Sequence, residues 1–319
     1  MITYILLLII GFVLLIKGAD IFVDGSSSTA QNFKVPKMLI GLTIIAFGTS
    51  APEFAVSIKA LASKSTDMVL GNVFGSCVIN SLLILGVAAL IHPIKIKDNT
   101  VKKELPLLLL ITTLLIVLFL DIELSEGVLN QITRGDGLTI ILFFLVFVYY
   151  LVSLATKKDG NEKVKEEKPK WKLGISMLLV IAGLGGIIFG SDLVVNNAIK
   201  IATKLNVSER LISLTVIALG TSLPELVTTI VSSKKGEQDL LLGNIIGSNI
   251  FNICVVLGIP VAIFGTISPG SFQTIDIYML ILSSLILFLF AESKRTITRV
   301  EGACMLLAFI AYYAFIMIY

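Results

Sequence analysis

The chain predicts an all-α membrane protein of ten transmembrane helices arranged as two inverted five-helix repeats. Three observations carry that expectation. The 319 residues are 56% hydrophobic and 15% charged, with a mean hydropathy of +0.97, whereas soluble domains are about 25% charged. The sequence repeats itself at an offset of 172 residues, without a gap, over about seventy residues. Each half holds five apolar runs. Five is odd, so the second half enters the bilayer from the side opposite to the first, an arrangement characteristic of secondary transporters.

The first repeat, 1–156, is expected to span at 3–31, 38–62, 67–91, 104–121 and 137–156. The second, 173–319, is expected to span at 173–203, 211–232, 239–264, 274–291 and 301–319. Runs near ~20 apolar residues suffice for a bilayer helix, and the alternation of a membrane β-barrel is absent. The first run resembles a signal peptide, but it continues through Lys17 and Asp20 and has a counterpart later in the chain, so it reads as structure. Between the repeats, 157–172 is polar and mixed in charge and reads as a solvated cytoplasmic linker.

Basic residues set the orientation. Eighteen lie on one side: Lys34 and Lys37, Lys95 to Lys103, the linker, Lys234 and Lys235, and Lys294 to Arg299. Six lie on the other: Lys59, Lys64, Arg134, Lys200, Lys204 and Arg210, together with the acidic stretch 121–126. The lysine-rich side is expected to be cytoplasmic, with both termini outside a multi-pass protein of the cell membrane. A net charge of +3, with its lysines in loops, points to lipid orientation and not to nucleic acid. Cys77, Cys254 and Cys304 lack metal-ligand spacing and read as buried small hydrophobes. His92, beside Pro93 at a segment end, reads as a loop residue.

The repeat pairs residues that chance agreement of apolar positions would not align. Gly18 matches Gly190, Asp20 matches Asp192, and Thr43 matches Thr215. Gly48-Thr49-Ser50-Ala51-Pro52-Glu53 returns as Gly220-Thr221-Ser222-Leu223-Pro224-Glu225. In each second span, proline removes an N–H and crowds a carbonyl one turn back. The carbonyls of Ala46, Phe47 and Gly48 are therefore expected to lack helical partners, beside a carboxylate at bilayer depth, which is costly and marks function. The third spans begin GNVFGSCVIN and GNIIGSNIFN. Gly71 and Gly75, like Gly243 and Gly247, have the spacing of close helix approach. Ser76 and Asn80 share a helix face, as do Ser248 and Asn252.

These residues make a pocket of two carboxylates and many neutral oxygens, with no thiolate or imidazole cluster. Hard cations suit it and soft metals do not. Calcium takes roughly 6–8 oxygens in a flexible shell, two glutamates neutralise it, and sodium suits the same carbonyls and hydroxyls. Competition between the two ions for one set of oxygens is sufficient for exchange.

The paired motifs resemble the two alpha repeats of the calcium/cation antiporter superfamily, in its prokaryotic sodium/calcium exchanger branch, over almost the whole chain. The resemblance implies a non-enzymatic antiporter that works by alternating access, with calcium and sodium as transported ions and no cofactor. It implies calcium held by Glu53 and Glu225, with Thr49 and Thr221 lending carbonyls. Ala46 and Ala218 would serve flanking sodium sites through their carbonyls. Ser50, Ser76, Ser222 and Ser248 would add hydroxyls, with Asn80 and Asn252 facing each other at the middle. The first and sixth helices are expected to slide across this core. Asn252 stands where some relatives, including potassium-dependent exchangers, carry aspartate, which argues against potassium co-transport. A proton-coupled calcium antiporter is the rival on the same fold, and a cation channel is a further one. An intramembrane hydrolase lacks a nucleophile–base pair. A monomer is the working expectation.

Overall fold

The computed structural model describes residues 1–63, 65–121, 130–156, 169–206, 218–268 and 274–318. The helices are α1 (Ile2–Phe33), α2 (Lys37–Thr49), α3 (Ala51–Ala62), α4 (Thr66–Ile91), α5 (Leu105–Phe119), α6 (Arg134–Thr156), α7 (Leu173–Lys204), α8 (Ala218–Thr221), α9 (Leu223–Lys234), α10 (Gln238–Phe264), α11 (Thr274–Lys294) and α12 (Arg299–Ile318). Among the described residues seven helices are long and apolar enough to cross a membrane, or eight when the bent pair α2–α3 counts as one span. The chain is a multi-pass membrane protein. Expected features at Lys64, 122–126, 157–168, Arg210 and the start of the seventh span, 211–217, lie outside the described residues.

The two 32-residue helices α1 and α7 pack along each other backbone to backbone. Their contact runs through Gly11, Gly18 and Gly25 on one side and Ser176, Gly183 and Gly190 on the other, all small and seven apart. A Cβ on Gly183 would lie 2.6 Å from the Phe22 nitrogen, and one on Gly190 2.6 Å from the Leu15 nitrogen. These glycines serve packing, the ordinary role of small residues between membrane helices. Much of the remaining surface of α1 is apolar and exposed, including Ile2, Leu6, Val13 and Ile16, as a lipid-facing helix requires.

The core is formed by α4 and α10, the most buried spans. Each broken helix packs on the opposite member: α2 on α10, and α8 and α9 on α4. Gly243 meets Gly41 so closely that a Cβ would lie 2.8 Å from the Gly41 Cα. Gly247 is equally tight against Ala46, but a Cβ on Gly75 would meet nothing among the described residues, so the packing role expected for both glycine pairs holds for the second.

The fifth and last spans exchange partners between halves. Gly137 of α6 abuts the Gly258 carbonyl of α10, and Gly302 of α12 abuts the Gly86 carbonyl of α4; Gly86 and Gly258 are 172 apart. Both helices open on the same box, ITRGDG at 132–137 and ITRVEG at 297–302. The Thr133 N–H and hydroxyl each donate to the Asp136 carboxylate at 2.7 Å, and those of Thr298 donate to Glu301 at 2.7 and 2.8 Å. Ile94 and Lys95 (β1) pair antiparallel with Thr296 and Ile297 (β2), while Ile132 bridges Ile267. Tyr150 donates to Glu104, and Tyr312 donates to Asp276, again 172 apart from Glu104.

Two expectations change. Cys77 and Cys254 are buried, but Cys304 is exposed; in a bilayer an apolar side chain needs no burial in protein. The described end of the linker docks on α1, since Lys170 pairs with Asp24 at 3.0 Å and Asn32 donates to the Trp171 carbonyl at 2.8 Å. His92 is exposed at the end of α4, as a loop residue should be.

Candidate cation site

Both glutamates sit just past a break in a helix. Ser50 has φ −86°, ψ 6° and Ser222 has φ −87°, ψ 5°, so the two breaks share one geometry. Helix α2 meets α3 at 45° there. Proline lies in the first turn of α3 and of α9, where its missing N–H costs that helix nothing. The carbonyl one turn earlier bears the cost. In the second repeat that carbonyl is Gly220, and the Ser191 hydroxyl on α7 donates to it at 3.2 Å. The equivalent residue on α1 is Ala19, which has no donor to offer the Gly48 carbonyl. The Ala46 carbonyl, expected to be unpartnered, accepts the Ser50 N–H at 3.0 Å. The Thr49 hydroxyl also lies 3.4 Å from it.

Glu53 is 0% and Glu225 1% exposed. A hydroxyl of the opposite repeat reaches Glu225: Ser50 donates to its Oε1 at 3.0 Å. Ser222 donates to the Ser76 hydroxyl at 3.4 Å, which joins the second broken helix to α4. The Thr49 hydroxyl sits 3.1 Å from the Ile45 carbonyl and 3.1 Å from the Asn244 amide oxygen. Asn72 donates to the Glu53 carbonyl at 2.9 Å and to Ser57 at 3.0 Å, and Asn244 donates to Thr229 at 3.2 Å. These two asparagines brace the broken helices against their neighbours, a role that the sequence reading did not give them.

Asn80 and Asn252 lie in π-helical turns, Ile79–Ile84 and Asn252–Leu257, inserted at equivalent points of α4 and α10. Such turns cluster at functional sites because the extra residue re-aims a side chain. The Asn80 amide does not pair with Asn252. Its Nδ2 donates to Asn249 Oδ1 at 3.0 Å, a residue that the sequence reading passed over. Ala218 enters through its backbone in α8, and its side chain is outside the described ones.

The chemistry of the site lies in what its oxygens lack. Both oxygens of Glu53, Oε2 of Glu225, Oδ1 of Asn80, Oγ of Ser248 and Oδ1 of Asn252 are buried and have no hydrogen-bond partner among the described residues. Leaving a buried polar atom unmatched costs about 1–3 kcal/mol each, and more for a charged group. A cation satisfies several acceptors at once. No group of three or more His, Cys, Asp or Glu suited to a metal occurs among the described residues, so the donor set is hard and largely neutral, fitted to sodium and calcium.

Comparison with known proteins agrees with this chemistry. The family model described as sodium/calcium exchanger protein matches residues 3–153 and 175–318. CaxA of Alkalimonas amylolytica is 38% identical over 315 residues, 95% of each chain. The sodium/calcium exchanger MaX1 of Methanosarcina acetivorans is 30% identical, with 96% of each chain covered. The solved structure of the sodium-calcium exchanger NCX_Mj, soaked with Na+ and Ca2+, superposes with a TM-score of 0.84 at 31% identity, covering 99% of this chain and 98% of that one.

Proposed function

The chain belongs to the sodium/calcium exchanger protein family, and from that premise we propose that it is a secondary antiporter exchanging sodium for calcium across the cell membrane by alternating access. The observation that carries the reading is the set of buried acceptor oxygens contributed jointly by both halves around Glu53 and Glu225. Glu53 and Glu225 are the calcium carboxylates. Thr49, Thr221, Ala46 and Ala218 contribute carbonyls. Ser50, Ser76, Ser222 and Ser248 contribute hydroxyl oxygens, and Asn80 and Asn252 amide oxygens. Sodium and calcium compete for this set, so the core crosses between its two facings with one or the other.

The architecture is read as ten spans in two inverted repeats, 1–156 and 173–319, joined by a cytoplasmic linker, with both termini outside. The shared helix breaks, the shared capping boxes and the exchange of α6 and α12 between halves support it. The test is calcium uptake into vesicles containing the purified protein. Sodium-loaded vesicles diluted into sodium-free buffer accumulate calcium, and a pH gradient in place of the sodium gradient does not drive uptake. Glu53→Gln and Glu225→Gln each lower uptake by about a hundredfold, the order expected when a buried charge loses its opposed partner (~3 kcal/mol). Uptake that persists in either variant contradicts the assignment.

A further inference from the structure

Asn80 and Asn252 occupy matching positions, yet their surroundings differ. Each is buried and 1% exposed. Asn80 donates through Nδ2 to Asn249 Oδ1 at 3.0 Å, and Asn249 in turn donates through its own Nδ2 to the Ser81 hydroxyl at 2.8 Å. Asn249 can therefore turn its amide over without loss only if the Asn80 amide and the Ser81 hydroxyl reverse with it. With its NH2 group held, Asn80 has one end left, and that end is the oxygen, which has no partner among the described residues. For Asn252 neither Nδ2 nor Oδ1 has a partner among the described residues. The 172-residue offset explains the difference: Asn249 corresponds to Cys77 and Ser81 to Ile253, so the tether exists for one asparagine of the pair.

An amide is ambiguous toward a cation. Its oxygen attracts the ion and its NH2 group repels it, and the two ends have nearly the same shape. A site that uses a free asparagine must populate the right one of two orientations, whereas a tethered one reverses only together with its partners. We propose that Asn249 is a positioning residue that commits the Asn80 oxygen to the cation, leaving Asn252 as the adaptable amide of the pair. The inference rests on the exchanger reading for the identity of the ion, and it deepens that reading by separating two asparagines that the repeat makes look equivalent.

The experiment measures calcium binding to purified protein by titration, alongside sodium-driven calcium uptake in vesicles. Asn249→Leu keeps the volume and removes the acceptor. It weakens calcium binding and raises the apparent KM for calcium by about three- to tenfold, while the maximal rate stays within about twofold of the parent. Asn249→Asp retains an acceptor for the Asn80 amide and adds a negative charge, so its calcium affinity does not fall below the parent's. Should Asn249→Leu not fold, Ser81→Ala removes only the pin on Asn249 and decides alone, with a rise in the same direction of about two- to threefold. Parent-like calcium affinity in the folded Asn249→Leu protein, or in Ser81→Ala when Leu does not fold, overturns the proposal. So does a fall in maximal rate with calcium affinity unchanged, which marks a merely structural role. If the parent binds calcium but a sodium gradient drives no uptake, the exchange reading fails while the binding titration still decides the role of Asn249. A parent that binds no calcium overturns both.

Discussion

A carboxylate sealed from water keeps its full need for partners, and Glu53 meets that need with none of its own chain's hydrogen bonds. That residue and its repeat partner were legible in the sequence, because a charged residue inside GTS-x-PE stands out from its apolar flanks and occurs twice. Asn249 was not legible for a complementary reason. Comparing halves highlights positions that agree, and its counterpart is Cys77. The π-helical turns around Asn80 and Asn252 also leave no mark in an apolar run, since they change the hydrogen-bond step and not the composition. Asn252 itself offers a prediction. Asn252→Asp adds a third carboxylate beside Glu53 and Glu225, and a close charge at an effective dielectric near 20 strengthens binding of a divalent ion on the order of tenfold after desolvation. Titration should show calcium affinity rising more than sodium affinity. An unchanged ratio would place Asn252 away from the ion.

At the scale of elements, the two long helices are tied to the core unequally. On the lysine-rich side Lys235, just past α9, reaches Asp20 at 2.7 Å and Asp24 at 2.6 Å on α1, and Lys170 adds a second cation to Asp24. Glu237 takes the Ser27 hydroxyl at 2.8 Å and Lys37 at 2.9 Å. The position equivalent to Lys235 in the first repeat is Ser63, so no such clamp joins α7 to α3. Burial follows the clamp. Thr228 and Val231 of α9 are buried, while their counterparts Val56 and Lys59 of α3 are half-buried and exposed. On the proposed alternating-access reading, the lysine-rich side, where the second broken helix is better covered, is the closed one. These bonds join residues far apart in sequence, and nothing in the loop composition announces them. Partly exposed pairs are worth about 1 kcal/mol or less each, enough to bias two facings by roughly fivefold. In a Cys304→Ser background, which removes the exposed native thiol, Lys235→Met should raise the labelling rate of a cysteine placed at Ser232 by an impermeant reagent applied from the lysine-rich side. A rate equal to that with Lys235 present would mean that the clamp does not hold that side shut.

At the scale of the whole molecule, the repeat explains both how the site arises and why its legibility stops where it does. The gapless 172-residue offset runs through the second and third spans of each half, where the site is made. It then shifts to 165 at ITRGDG and ITRVEG, because the connections ahead of α6 and α12 differ by seven residues. The loss of register hid the shared caps and the exchange of α6 and α12 between halves until the helices were seen together. Hydropathy, by contrast, marked out the seven helices that are long and apolar enough to cross a membrane among the described residues, or eight with the bent pair, since the bilayer demands apolar length whatever the packing. The Ser50 hydroxyl of the first copy donates to Glu225 of the second, so the proposed site draws on both halves.

The central claim is that one site, built from both halves, takes calcium and sodium in turn. Equilibrium binding of radioactive calcium to the purified protein, titrated with sodium, measures it directly. The account predicts one calcium per chain, displaced competitively by sodium and lost in Glu53→Gln and in Glu225→Gln alike. Two calcium ions per chain with one retained in each variant, or calcium that sodium does not displace, would contradict it.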